Sequence, residues 1–187
     1  MDDQLSLRPS MAGAPGAAVT CSRALMQSGN TEPVEALIAA LKKRGLNPLP
    51  IYVQSLKDSV STGVVTKALD AATPDVILNT TGFAVSAPGA DKAETPFDSA
   101  DCPVLQTVFA ATTEQVWAEA NSGLIARDIA MNVALPEVDG RVLSRAVAFK
   151  SEARFDEVTE TAIVKHLPSL DRIDFVGDLA AAWARLR

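Results

Sequence analysis

The sequence is poor in the residues on which metal sites and flavin sites most often depend. It contains one histidine, two cysteines, one tyrosine and two tryptophans in 187 residues. Cys21 and Cys102 lie far apart and neither belongs to a CxxC pair, so the sequence offers no zinc motif and predicts no metal site. We expect both cysteines to be reduced packing thiols in buried strand regions of a cytoplasmic protein.

An excess of positive charge is also absent. The formal net charge is −6, the pI is about 4.8, and the longest basic run is Lys42–Arg44. An acidic chain repels the phosphate backbone, so we predict no binding of nucleic acid. No apolar run approaches the ~20 residues that a membrane helix needs, and no basic segment followed by an apolar stretch opens the chain. We therefore predict neither a membrane span nor a secretory signal.

Four widespread motifs of catalysis and nucleotide binding are missing as well. The sequence contains no GxxxxGK[ST], GxGxxG, GxSxG or HExxH. ATP hydrolysis by this chain alone, dinucleotide binding, α/β-hydrolase chemistry and zinc protease chemistry therefore have no motif support.

What the chain does contain is an alternation of short apolar runs and amphipathic stretches. Residues 1–16 are rich in Ser, Pro, Gly and Ala, so we predict a flexible leader or linker there and a single domain over residues 17–187. The apolar runs predict strands at Ala17–Cys21, Leu49–Val53, Val76–Leu78, Val104–Phe109 and Met131–Leu135. Helical spacing predicts a helix from Glu32 to just before Gly45, and others at Ser59–Ala72, Thr113–Asn121, Ala126–Ala130 and Leu170–Leu186.

This alternation indicates the fold class. Strands separated by helices of ~10–15 residues form βαβ units, which build a parallel sheet with helices on both faces. We predict a doubly wound, mostly parallel α/β fold, that is, a flavodoxin-like or Rossmann-like three-layer sandwich. Val142–Phe149 and Ala162–Lys165 are predicted to form an antiparallel pair at its edge.

Polar residues follow the third predicted strand and open a long connection. The stretch Thr80–Asp101 exceeds the ~12–15 residues usual for a structureless loop, which indicates a functional or ordered loop. Asn79 and Thr80 lie at the carboxyl end of the strand, where ligands bind in open α/β sheets. They equally suit hydrogen bonding to a buried loop backbone. Both interpretations stay open.

A second candidate site precedes the first helix. Ser28, Asn30 and Thr31 stand at the helix N-terminus, where free N–H groups and the helix dipole favour an anion. The letters SGNTE also resemble the phosphate loop of flavodoxins, although the apolar segment before them does not. A flavin ring needs flanking aromatic residues, which are scarce here. We favour the simpler interpretation that these residues cap a core helix.

The third candidate lies between residues 131 and 141. The apolar run Met131–Leu135 stops at Pro136, and a turn that carries Glu137 and Asp139 leads to Arg141. We predict a strand whose end presents two carboxylates. From the residues alone, turn chemistry explains the two acids better than catalysis does.

Longer blocks of the chain resemble a known family, the CobN large subunits of aerobic cobaltochelatase, which are related to the H subunit of magnesium chelatase. The resemblance covers residues 19–187. It is carried by SRALMQSGNTEPVEALIAALKKRGLNPLPIYVQSLKD, VILNTTGFAVSAPG, CPVLQTVFA, ARDIAMNVALPEVDGRVLSRAVAFK and DRIDFVGDLAAAWARLR. The cobalt enzymes are favoured over the magnesium enzymes because ALPEVDGR followed by LSRAVAFK looks like the former.

The resemblance implies a function for a much longer subunit of which this chain is one internal piece. Such subunits bind a tetrapyrrole and work with two AAA+-type ATPase subunits. The implied reaction is the ATP-dependent insertion of Co²⁺ into hydrogenobyrinic acid a,c-diamide in cobalamin synthesis. Co²⁺ is then a substrate, ATP is used by the partner subunits, and the isolated chain binds no cofactor, folds alone and does not chelate.

Roles for individual residues follow from the same resemblance. Glu137 and Asp139 would accept the pyrrole protons or hold the incoming cation, and Asn79, Thr80 and Arg141 would contact the tetrapyrrole. With the resemblance included, the catalytic and the turn interpretations of the two acids are evenly matched.

Two functions of other classes stay open beside this one. The first is a flavodoxin-like module that binds a phosphate or a flavin at Ser28, Asn30 and Thr31. The second is a purely structural domain that packs against other parts of the same subunit and leaves apolar surface patches exposed in isolation.

Overall fold

The computed structural model of the chain describes residues 13–91, 93–158 and 160–186. Eight strands lie in these ranges: β1 (Gly16–Ser22), β2 (Asn47–Val53), β3 (Val76–Asn79), β4 (Val104–Phe109), β5 (Val142–Lys150), β6 (Arg154–Asp156), β7 (Thr161–Ile163) and β8 (His166–Pro168). Six of them form one sheet in the order β2-β1-β3-β4-β5-β8. The first five run parallel, and β8 is antiparallel to β5.

The helices are α1 (Arg23–Gln27), α2 (Glu32–Lys43), α3 (Ser59–Ala72), α4 (Glu114–Glu119), α5 (Ala126–Ile129), α6 (Leu135–Val138) and α7 (Leu170–Ala184). A π-helical turn, Ala130–Ala134, joins α5 to α6, and a 3-10 turn lies at Asp98–Ala100. No helix in the described part of the chain is both long and apolar enough to cross a membrane.

The predicted fold class is confirmed. The parallel strands follow the order 2-1-3-4-5, the flavodoxin-like version of the doubly wound fold. In this order the chain changes direction across the sheet between β1 and β3. The carboxyl ends of these two strands therefore form the switch point, next to which ligands bind in such folds.

Apolar cores lie on both faces of the sheet because successive strand residues face opposite sides. In β1, Val19 and Cys21 pack into the core under α2 and α7, whereas Ala18 packs into the core under α3. Phe97 from the long β3–β4 connection joins the second core. That connection therefore covers part of the face that a crossover helix would otherwise cover.

Helix α2 shows how the local sequence produces this packing. Pro33 lies in the first turn, and Lys42 and Lys43 lie in the last turn, which suits the helix dipole. The predicted apolar stripe is confirmed, since Leu37 and Leu41 are completely buried. Truncation of either leucine to alanine would cost about 2–5 kcal/mol of folding free energy.

The predicted strand Met131–Leu135 is wrong. These residues belong to a helical segment that runs from α5 through the π turn to α6. A short apolar run does not distinguish a strand from a buried helical turn by its periodicity. The fifth parallel strand is instead β5, which sequence analysis placed in the edge pair.

The predicted partner of β5 at the edge is also wrong, although an antiparallel edge pair exists. Strand β8 pairs with the end of β5, with Lys150 opposite His166. Strand β7, which overlaps the predicted partner, pairs with β6 in a separate two-stranded hairpin. Alternation alone could not select between two short runs so close together in sequence.

Most of the predicted leader lies outside the described residues. Gly16, its last residue, belongs to β1 rather than to the leader. The cysteine prediction is confirmed for Cys21, which is buried in β1. It is wrong for Cys102, which is half-buried and precedes β4 rather than lying in a buried strand. Burial raises the pKa of the Cys21 thiol to about 12, as expected for an unreactive packing thiol.

Candidate functional site

A buried polar cluster lies at the carboxyl end of β3, between β1 and β4. Thr20, Asn79 and Gln106 face one another across these three strands and are almost completely buried. The Asn79 Oδ1 accepts from the Thr20 hydroxyl at 2.7 Å, and its Nδ2 donates to Gln106 Oε1 at 2.8 Å. The Asn79 Oδ1 also accepts from the Thr81 hydroxyl, and the Asn79 Nδ2 also donates to the Thr81 carbonyl, both at 2.9 Å.

This cluster fixes the start of the β3–β4 loop, residues 80–103. Thr80 adds to it, since its backbone N–H and its hydroxyl both donate to the Thr20 carbonyl, at 2.9 and 3.0 Å. The two N–H bonds of the Asn79 amide are used inside the protein. The structure therefore places Asn79 and Thr80 where they hold the loop backbone, and their contact with a substrate stays a prediction.

A second attachment of the loop depends on Pro136. In the π turn the Leu135 N–H donates to the Ala130 carbonyl, five residues back, rather than to Met131. The next residue is Pro136, which has no N–H to offer. The Met131 carbonyl is thus left without a helical donor, and it accepts the Phe83 N–H of the loop at 2.8 Å.

Gly82 is required for this close approach. A Cβ at position 82 would lie 2.9 Å from the Asn132 side-chain oxygen and 3.1 Å from the Met131 carbonyl oxygen. Phe83 follows with a φ of 65°, a conformation that a bulky residue rarely adopts, and its side chain is exposed. The loop thus carries backbone strain at the point where it contacts the π turn.

A third attachment is made by Asp139. Its carboxylate accepts the N–H groups of Val85 and Ser86 at 2.7 and 2.9 Å, and the Arg141 guanidinium at 2.7 Å. The guanidinium also lies 5.5 Å from the Phe97 ring centre, within the same loop. Asp139 and Arg141 therefore clamp the middle of the β3–β4 loop to the segment before β5.

The electrostatics of this pair follow from burial and hydrogen bonding. Burial raises the pKa of Asp139, but the amides of Ser86 and Val85, together with Arg141, outweigh it, so that the pKa is lowered overall. Burial lowers the pKa of Arg141, against the opposing effect of Asp139. Within the part of the chain that the structure describes, the Nε and Nη1 atoms of Arg141 are buried without a hydrogen-bond partner. The ion pair with Asp139 and the Phe97 ring compensate this cation.

Glu137 differs from Asp139 although the two are close in sequence. Its side chain is exposed on α6, and its carbonyl accepts the Gly140 N–H at 2.9 Å in the turn that ends the helix. The structure therefore separates the two predicted catalytic acids, one facing solvent and one buried in a clamp. Their catalytic roles stay predictions. The burial of Asp139 and Arg141 depends on a loop far away in sequence. The residues next to them in the sequence therefore did not indicate it.

The residues of the predicted anion site mostly contact other parts of the protein. The Ser28 hydroxyl donates to the Leu25 carbonyl at 3.2 Å, and the Thr31 hydroxyl donates to Glu35 Oε1 at 2.6 Å. The Asn30 side-chain oxygen accepts the His166 N–H at 3.2 Å and links this loop to β8. Thr31 is the N-cap residue of α2 but makes no side-chain capping bond. Anion binding here stays a prediction.

Two features at the same edge of the sheet were not predicted from the sequence. One is a small cleft of about 220 Å³ at the ends of β1 and β2, lined by Ser22, Arg23, Ala24, Gln27 and Gln54. The other is a set of exposed apolar side chains in the segments that follow β1, β3 and β4: Met26, Phe83, Ile125 and Ile129. Isolated apolar residues within loops could not be recognised as a surface before the sheet order was known.

No group of three or more His, Cys, Asp and Glu side chains in the described ranges is arranged to hold a metal ion. The exposed carboxylate of Glu137 is the predicted site residue best placed to meet a cation that arrives from solvent.

Comparison with known proteins identifies the family. The family model for CobN/Magnesium Chelatase matches residues 3–187. The chain is 52% identical over 165 residues to the aerobic cobaltochelatase subunit CobN of Sinorhizobium sp, and 41% identical over 175 residues to that of Pseudomonas aeruginosa. The chain therefore belongs to the CobN/magnesium chelatase family.

The relatives are much longer than this chain. The matched regions cover 88% and 94% of this chain but only 13% and 14% of these two CobN subunits. The fold is also similar to the catalytic subunit of cobaltochelatase from Mycobacterium tuberculosis, with a TM-score of 0.76 and 32% identity. That similarity covers 96% of this chain and 15% of the other.

Proposed function

We propose that this chain is one domain of the large subunit of an aerobic cobaltochelatase. In this role it contributes to tetrapyrrole binding and to the insertion of Co²⁺ into hydrogenobyrinic acid a,c-diamide during cobalamin biosynthesis in the cytoplasm. The observation that carries the proposal is the 52% identity to a cobaltochelatase subunit over 88% of the chain. The clamped loop next to the switch point supports it, because ligands bind at this edge in doubly wound folds.

The energy for the reaction comes from other subunits in this proposal. The chain has no phosphate-binding motif of the P-loop type, so ATP is hydrolysed by two AAA+-type partner subunits. The remainder of the same large subunit is a further partner, since the matched regions make up about one seventh of the CobN relatives. The isolated chain binds no cofactor and forms no nitrogen–metal bond by itself.

The geometry suggests different roles for the two acids. When Co²⁺ enters the corrin ring, a ring N–H bond breaks, the nitrogen binds the metal, and the released proton has to be accepted by a base. The exposed carboxylate of Glu137 can accept a proton or hold the cation, whereas Asp139 already binds Arg141 and two backbone amides. We assign proton or cation transfer to Glu137. Asp139 and Arg141 become positioning residues that hold the loop, as do Asn79 and Thr80 at its start.

The test is cobalt insertion measured with the full-length large subunit, both ATPase subunits, ATP and the tetrapyrrole. Glu137→Gln removes the charge of an exposed side chain. We therefore expect the rate of cobalt insertion to fall at least tenfold while the folding of the subunit is unchanged. Glu157→Gln, an exposed glutamate in the β6–β7 hairpin, is the matched control. Equal activity of Glu137→Gln and wild type would remove the role of Glu137, and cobalt insertion by the isolated chain would refute the need for partners.

The strand order favours one second candidate, a flavodoxin-like module that binds a phosphate or a flavin at Ser28, Asn30 and Thr31. The side chains of these residues are already engaged within the protein, which weighs against it. Titration with FMN decides the matter: a yellow complex supports a flavin module, and a colourless protein that does not bind FMN eliminates it. The third alternative, a purely structural domain, would bind neither FMN nor a tetrapyrrole.

A further inference from the structure

Phe83 is an aromatic side chain that the fold presents to solvent rather than buries. It is 53% exposed, and it lies in the loop that leaves β3 beside the switch point. Met26, which follows β1, and Ile125 and Ile129, which follow β4, are also exposed at this edge of the sheet. We call these four residues the apolar edge.

The backbone around Phe83 is held firmly from both sides. The Met131 carbonyl accepts its N–H at 2.8 Å, and two residues further along Asp139 accepts the N–H of Val85 at 2.7 Å. The φ of 65° at Phe83 is unfavourable for a phenylalanine. Such strained positions occur preferentially at sites that contact ligands. A loop held this firmly keeps the ring in one place without further ordering on binding.

Polar groups border the apolar edge. The cleft at the ends of β1 and β2 is lined by Ser22, Arg23, Gln27 and Gln54. Thr20 of β1 pairs with Asn79 of β3, so Ser22 and the start of the β3–β4 loop lie at the same end of the sheet. This edge therefore offers an apolar surface with an aromatic ring, next to a cation and several hydrogen-bonding side chains.

We propose that Phe83 is a ring-stacking platform for the tetrapyrrole. One face of the macrocycle lies on Phe83 and the rest of the apolar edge, while Arg23 binds a carboxylate arm at the rim. The proposal rests on the proposed function, since it names the contact through which this domain would bind the substrate. A conjugated macrocycle with apolar methyl groups and with acidic and amide arms fits an aromatic platform beside a cationic, amide-lined cleft.

The experiment is a titration of the 187-residue chain with metal-free hydrogenobyrinic acid a,c-diamide, followed by absorbance. Wild type is expected to bind and to shift the absorption bands of the macrocycle. Phe83→Ala and Phe83→Leu are expected to weaken binding about tenfold, the scale of one lost aromatic contact, and to lose the band shift. Phe83→Trp keeps a stacking surface and is expected to restore both. Circular dichroism confirms that each variant folds.

Two further variants control for general effects. Phe155→Ala removes an aromatic side chain that is 63% exposed on β6, and it is expected to bind like wild type. Arg23→Gln is expected to weaken binding at low salt and to make less difference at high salt, because its attraction to a carboxylate is screened.

The outcomes separate this inference from the proposed function. Binding by wild type with equal affinity and spectrum in Phe83→Ala would overturn the platform and leave tetrapyrrole binding by the domain intact. Absence of binding by wild type would overturn the inference, whereas the proposed function is tested separately by cobalt insertion with the full-length subunit. A Phe83→Ala variant that keeps tetrapyrrole affinity but no longer associates with the ATPase subunits would show that Phe83 contacts protein, and it would also overturn the inference.

Discussion

Asp139 and Arg141 form an ion pair at 2.7 Å in which each side chain is only 1% exposed. The same carboxylate accepts two backbone N–H groups of the β3–β4 loop, from Val85 and Ser86. Three donors thus bind one carboxylate. If the loop moved away, the buried charges would become exposed to solvent or lose their partners. The pair is the principal electrostatic link between this loop and the segment that precedes β5.

The first prediction concerns the removal of this charge. Asp139→Asn keeps the size of the side chain but leaves the Arg141 cation buried without its counter-charge. Two nitrogens of that guanidinium already lack a hydrogen-bond partner among the described residues, so the free energy of unfolding should fall by about 3–5 kcal/mol. Urea denaturation measures this change.

The matched control is Asp174→Asn. Asp174 binds Arg44 at 2.9 Å in an ion pair between α7 and the end of α2, but its side chain is 47% exposed. Arg44 also keeps Asp178 at 2.6 Å. The expected loss is below about 1 kcal/mol. Equal losses of unfolding free energy in the two variants would mean that burial of the Asp139–Arg141 pair does not determine its contribution to stability.

The second prediction is the pH dependence of the same link. The pKa of Asp139 is lowered in the folded chain, so the unfolded chain binds its proton more readily. The stabilisation is fully present above the unfolded value of about 3.9 and is lost as the pH falls through the lowered folded value. The difference in unfolding free energy between wild type and Asp139→Asn should be constant from pH 8 to 6 and shrink toward zero in strong acid. A difference that grows on acidification would contradict this assignment.

The fold was accessible from the sequence because its signals are local. The stripe that buries Leu37 and Leu41 repeats at helical spacing, and the proline in the first turn of α2 stands where a helix accepts it. The runs Ala17–Cys21 and Val104–Phe109 are short, apolar and bounded by turn residues. Strands and helices that alternate in this way leave few topologies other than a parallel doubly wound sheet.

The candidate site was less accessible because it depends on contacts between distant segments. Pro136 normally stops a strand or a helix, and here it lies in a helix because Phe83 supplies the donor that the Met131 carbonyl lacks. The sequence around residues 131–139 does not indicate where that donor lies. It also does not indicate that Asp139 is buried. The predicted turn Glu137–Gly140 is confirmed only at Asp139 and Gly140, where Gly140 has a φ of 78°. Glu137 and Val138 lie in α6 instead, and the directions of the two acids were not predicted.

The third prediction tests the close approach of the loop to the π turn. Gly82→Ala places a Cβ 2.9 Å from the Asn132 side chain and 3.1 Å from the Met131 carbonyl oxygen. The backbone has to shift, so we expect a loss of about 1–3 kcal/mol in unfolding free energy. In Gly63→Ala the new Cβ meets nothing within 4 Å inside α3, and the helix should gain about 0.5–1 kcal/mol. Thermal and urea unfolding of both variants measure these opposite signs.

The last prediction concerns the proline that leaves the Met131 carbonyl free. Pro136→Ala restores an N–H at the position where a π turn would donate to that carbonyl, so the helix can satisfy Met131 by itself. The Phe83 N–H then competes with a local donor, and its hydrogen exchange should become faster while the helix itself is no less stable. Hydrogen exchange resolved at single amides checks this, with Ala110 as the reference because its N–H donates to Ala148 at 2.8 Å within the sheet. An unchanged exchange rate at Phe83 would show that the attachments at Asn79 and Asp139 are enough to hold the loop, and that Pro136 serves only the helix.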